Sequence, residues 1–177
     1  ILWEMTDMLS LDLVDKGVVT NQIVLTVGYD KESLADGHYT GEVVCDHYGR
    51  KIPKHAHGTQ NLGRHTSSTR KIIDATMALF DRIIDKTLLA RRLNLTACNV
   101  IREEDIPEVE SYEQISLFDM AEAANADNNA EEKERALQEA MILIKHKYGK
   151  NAILKGTNFK EGATMRQRNG QIGGHRA

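Results

Sequence analysis

The chain has 177 residues, enough for one sizeable core, and its formal net charge of -3 hides a segregation: residues 1–107 carry -2, 108–139 carry -8 and 140–177 carry +7. No apolar run is long enough to cross a bilayer, and no basic-then-apolar leader precedes a small-residue cleavage site, so a cytoplasmic protein is the expectation. The two cysteines, Cys45 and Cys98, lie far apart and form no CxxC pair, which speaks against a disulfide framework or a zinc cluster.

The sequence starts at Ile1, without an initiator Met, inside an apolar helix-like stretch, and reads as a fragment of something longer. Leu2, Met5, Leu9 and Leu13 recur at helical spacing, with Glu4, Asp7 and Ser10 on other faces and Gly17 near the end, so a helix is predicted over 2–16. Asn21 to Tyr29 switches to period two, with Ile23, Leu25 and Val27 on one side and Gln22, Val24 and Thr26 on the other, the pattern of a strand. Further strands are predicted around Gly41–Cys45 and His55–Asn61, with Gly49 and Pro53 supplying turn chemistry between them. Thr66-Ser67-Ser68-Thr69 then precedes a helical period at Ile73, Met77, Phe80 and Ile84, with hydroxyls where the first backbone N–H groups lack partners. Arg92 to Val100 alternates again, Leu93, Leu95 and Ala97 against Arg92, Asn94 and Thr96. The expected fold is α+β, with two helices on one face of an antiparallel-rich sheet.

After Pro107 the periodicity stops. Residues 108–130 are acidic, rich in Ala and Asn, and read as a linker. Leu137, Met141, Ile144 and Tyr148 mark one more helix, capped by Gly149, before a Gly-rich basic end. Three segments follow: a domain over 1–107, a linker over 108–130, and a C-terminal helix with a basic tail over 131–177.

The stretch from His47 to Ile73 contains Arg50, Lys51, Lys54, Arg64, Arg70 and Lys71 and not one Asp or Glu. Asn61-Leu62-Gly63-Arg64 leads straight into the hydroxyl-rich helix start, and a helix N-terminus with free N–H groups and a favourable dipole suits a phosphate. Arg64 and Arg70 would add charge-assisted hydrogen bonds, and Arg92, Asn94 and Thr96 could extend the track along the sheet. The same residues also fit a solvated basic loop beside an ordinary N-cap. His38, His47, His55, His57 and His65 raise a metal hypothesis, yet no Cys or paired carboxylate stands at convincing spacing. No GxSxG nucleophile, P-loop or GxGxxG cradle is present, so no catalytic residue is assigned. In the linker, Gln114-Ile115-Ser116-Leu117-Phe118 places two large apolar side chains in a segment that otherwise avoids them, as a docking peptide would.

These residues resemble the Y-family translesion DNA polymerases, of the bacterial polymerase IV and polymerase V catalytic-subunit type. The similar segments are Asp12-Leu13-Val14-Asp15-Lys16-Gly17, Ile23–Asp30, Gly41-Glu42-Val43, Gly49-Arg50-Lys51, Gly58–Thr69 and Arg91–Thr96. They resemble the family's C-terminal little finger domain, which grips duplex DNA at its phosphates, and Gln114–Phe118 resembles its sliding-clamp motif. The resemblance implies DNA-binding roles for Arg50, Lys51, Asn61, Arg64, Thr66, Ser67, Ser68, Thr69, Arg70 and Arg92, with primer-template DNA and the bacterial clamp as partners and no membrane. The tail, from Lys150 through His175, looks like that of Gram-positive members. The family's little finger opens with a strand before its first helix, and that strand is missing here. The carboxylates that bind magnesium and drive nucleotide transfer belong to a palm domain that this chain lacks, so no cofactor is expected in the fragment and magnesium is expected in the parent. The implied function is the DNA-gripping, clamp-docking part of an error-prone polymerase acting in DNA repair and the SOS response. A non-catalytic clamp- or protein-binding adaptor is the alternative.

Overall fold

The computed structural model describes residues 1–35, 37–106, 117–172 and 175–176. In chain order the elements are α1 (Leu2–Asp15), β1 (Val18–Tyr29), β2 (Val43–Cys45), β3 (Lys51–Pro53), β4 (Ala56–Thr66), α2 (Thr69–Ile83), β5 (Ala90–Cys98) and β6 (Ile101–Arg102). A long helix α3 (Leu117–Tyr148), a single turn α4 (Met165–Arg168) and a small β7 (Gln171–Ile172) and β8 (His175–Arg176) pair follow. The expected α+β class holds.

β1 is the centre of the sheet. It pairs antiparallel with β4 on one side and β5 on the other, while β6 pairs with its first residues, Val18 and Val19. The period-two pattern becomes two chemically distinct faces. Ile23, Leu25, Val27 and Tyr29 are buried against α1 and α2, together with Leu2, Leu13, Ile72 and Leu79. Each fully buried aliphatic side chain here contributes about 1.5–3 kcal/mol. The opposite face carries no helix among the described residues.

α2 begins as its hydroxyls suggest, with Ser68 as N-cap accepting from the Lys71 N–H. Its fully buried residues are Ile72, Thr76 and Leu79, while Ile73 of the expected period is buried and Met77 and Phe80 are partly buried against the core. The apolar arc of this helix is wide, and the sheet selects the edge one residue earlier. Gly58 in β4 lets the helix close in, because a Cβ there would stand 2.8 Å from Ile83 Cγ2 and from Leu79 Cδ1.

Three local differences are informative. Gly49 and Pro53, read as turn residues, belong to a hairpin: Gly49, at φ +74°, serves the turn while Pro53 ends β3. α3 starts at Leu117, inside the stretch read as a linker, because no Gly or Pro interrupts 117–148 and Ala and Glu are strong helix formers. Gly149 at φ +97° ends it, as expected. The polar side of α1 is not solvated either. Glu4, Thr6, Asp7 and Ser10 are buried, and residues 155–165 lie against Glu4 and Asp7.

Candidate nucleic-acid interface

The predicted site residues fall in three places. The first is the uncovered face of the sheet, where register sets the neighbours. Gln22 lies between Asn61 and Cys98, Val24 between Thr59 and Thr96, Thr26 between His57 and Asn94, and Gly28 beside Arg92. Gln22 Nε2 donates to Asn61 Oδ1 at 2.9 Å, and Thr26 Oγ1 meets His57 Nδ1 at 2.9 Å. Over this block the face holds no carboxylate, and Arg92 is its one formal charge.

The second place is the β2–β3 hairpin beyond Gly28, which carries Arg50 and Lys51. Asp46 organises its turn: Oδ1 accepts from the Tyr48 and Arg50 N–H groups at 2.9 Å each, and Oδ2 lies 2.6 Å from Arg50 Nη2. The Arg50 guanidinium and these N–H groups hold the Asp46 carboxyl below its usual range. Arg50 also lies 4.9 Å from the centre of the Tyr48 ring. Its guanidinium is thus tied within its own hairpin and stands apart from the helix start.

The third is the N-terminus of α2. Thr66, Ser67, Ser68 and Thr69 are all buried there, because α3 lies across them. Glu134 is the centre of the contact. Its Oε1 accepts from the Arg70 N–H at 2.8 Å, and its Oε2 accepts from the Ser68 hydroxyl at 2.6 Å. Glu131 Oε1 receives Arg64 Nη2 at 2.7 Å and also the Lys71 ammonium. Gln138 Nε2 donates to the Ser67 carbonyl at 3.0 Å and to Thr69 Oγ1 at 2.8 Å. Arg135 spans Ser67 Oγ and Glu103. The helix start that the sequence marks for a phosphate therefore binds oxyanions, and they are the chain's own carboxylates. Sequence reasoning missed Glu131, Glu134 and Gln138. The signal was available in the acidic block over 108–139, whose charge complements the acid-free stretch before α2.

The impB/mucB/samB family C-terminal domain matches residues 1–117 of the chain. The chain belongs to this family. It is the C-terminal domain of Y-family polymerases, in agreement with the segments that carry the resemblance. The chain is also 29% identical over 160 residues to UvrX of Bacillus subtilis (strain 168), a protein named for UV-damage repair. That match covers 90% of this chain and 30% of UvrX, so the chain spans under a third of its relative's length. No solved structure matches.

Two expectations tied to the family concern other residues. Among the described residues no group of three or more His, Cys, Asp or Glu side chains could hold a metal ion. The clamp motif falls outside: Gln114, Ile115 and Ser116 lie outside the described residues, and Leu117 and Phe118 are described only as the first backbone positions of α3. No described helix is long and apolar enough to cross a membrane.

Proposed function

We propose that this chain is the DNA-gripping C-terminal part of a translesion polymerase acting in DNA damage repair, and that it contacts duplex DNA through backbone phosphates. The observation that carries the reading is the occupied helix start. A backbone N–H, a Ser hydroxyl, an Arg and a Lys already converge on carboxylate oxygens at the N-terminus of α2. A phosphate oxygen needs the same donors. The neighbouring sheet face, polar and without carboxylates from Gln22 to Gly28, offers a second surface along which a phosphate backbone can lie, with Arg92 at its end. Contacts of this kind position DNA without reading sequence, so binding is sequence-tolerant and weakens steeply with salt.

The family supports a further part of the reading. Gln114–Phe118 docks the parent polymerase on its sliding clamp, with Leu117 and Phe118 in an apolar pocket worth about 3–6 kcal/mol gross before ordering costs. Such a contact is weak alone and becomes effective when DNA is held by the same molecule. In the parent, nucleotide addition past damaged bases would be carried out by residues outside this chain.

The test is binding of the 177-residue chain to a primer-template duplex across a salt series, with Arg64→Ala and Arg92→Ala alongside. Affinity should fall with salt, and each substitution should weaken binding to all sequences alike and lower the log–log salt slope by about one. Salt-independent binding, or no binding in any variant, Glu131→Gln/Glu134→Gln included, removes the proposal. Clamp docking is checked separately by retention on immobilised bacterial clamp, which Leu117→Ala/Phe118→Ala should abolish.

A further inference from the structure

We infer that α3 is a built-in competitor for DNA, holding the α2 phosphate site closed with Glu131 and Glu134 until a nucleic-acid backbone displaces it. This rests on the reading of that site as a phosphate site, and it assigns the C-terminal helix a regulatory duty.

The chemistry of the contact is that of a DNA mimic. Each carboxylate uses donors that a phosphate would use: Glu134 takes the Arg70 N–H and the Ser68 hydroxyl, and Glu131 takes Arg64 and Lys71. The two sit one helical turn apart, on the face of α3 that also presents Gln138 to the Ser67 carbonyl and Thr69 hydroxyl. A phosphate cannot enter while these oxygens fill the site.

The docking is also of a reversible kind. Among the apolar side chains described in α3, Met141 alone is buried, while Leu137 is 57% and Leu143 69% exposed. Little apolar area therefore fixes the helix over the cradle. The bonds that remain are ion pairs and polar contacts: Arg64 is 60% exposed on its side of the pair, while Gln138 lies buried against Ser67 and Thr69. Salt and polyanions weaken such contacts. A tethered competitor acts at a high effective concentration, so it lowers the apparent DNA affinity by the fraction of molecules in which the site is open.

The experiment measures binding of a fluorescent primer-template duplex to the full 177-residue chain and to Glu131→Gln/Glu134→Gln. Circular dichroism confirms that both are folded, and Glu134→Gln alone serves as the milder variant. Glu132→Gln/Glu161→Gln is the charge control, since it removes the same two charges from exposed positions. The expected result is about tenfold tighter binding for the double variant, and less than about twofold for the control. Arg64→Ala should cost more in the double variant than in the wild type, where Arg64 is already occupied. Equal affinity of double variant and wild type, or an equal gain in the control, overturns the competitor while leaving DNA binding intact. Absence of binding in every variant overturns the phosphate reading itself, and the competitor with it.

Discussion

Replacing Glu4 by Ala should release the C-terminal segment from α1. Glu4 is 3% exposed, and its two oxygens accept from Asn158 Nδ2 at 2.9 Å, the Thr164 N–H at 2.9 Å and the Met165 N–H at 3.2 Å. Burial pushes the Glu4 carboxyl up, but the Thr164 N–H, the Asn158 amide and the Met165 N–H together outweigh it and hold the carboxyl below its ordinary value. Truncation leaves three donors without their acceptor, each worth about 1–3 kcal/mol if it stays buried. The segment can instead lift off, where water satisfies the donors, so the loss stops at its docking free energy. Taking the lower end for each donor gives about 3 kcal/mol, or roughly a hundredfold faster local opening. Amide hydrogen exchange at Thr164 and Met165 reads that opening directly. Unchanged protection of these two amides in Glu4→Ala would refute the role given to the buried carboxylate.

Acid should act through the same group. Since the folded-state value is depressed, Glu4 contributes its full stability above the ordinary value of 4.5 and loses it as pH falls from there through the folded value. Melts in that window should show a steeper acid loss for the wild type than for Glu4→Ala, and parallel curves would count against it. Gly58→Ala should destabilise by about 1–3 kcal/mol, because its Cβ would stand 2.8 Å from Ile83 and Leu79 side-chain carbons in the sheet–helix contact. A thermal melt should fall by roughly 2–10 °C, and an unshifted transition would mean that α2 can retreat at little cost.

The central strand was legible because one of its faces is buried. Ile23, Leu25 and Val27 alternate with Gln22, Val24 and Thr26, and the structure puts the first set in the core. The hydroxyl-rich start of α2 was legible for a similar reason, as capping is a local event. What lay hidden was non-local. Nothing near Glu4 in sequence announces Thr164, so a buried carboxylate in α1 reads as part of a solvated face. β2 falls within the strand expected around Gly41–Cys45, whereas β3 and β6 are too short to leave a period. Only the first part of α3, residues 117–130, reads by its acidic composition as a linker, although its helix propensity argues the other way. The donors at the start of α2 were visible, whereas the carboxylates that bind them come from 60 or more residues away.

The most direct measurement of the central claim is an NMR titration of the isotopically labelled 177-residue chain with primer-template duplex. If the chain grips DNA through the uncovered sheet face and the start of α2, perturbations should cluster at Gln22, Thr26, Asn61, Arg92, Asn94 and Thr96 and at Arg64, Ser68 and Arg70. The buried face of α1 around Glu4 and Ser10 should stay unchanged. Perturbations confined to α1 and the C-terminal segment, or none at saturating DNA, would contradict the account.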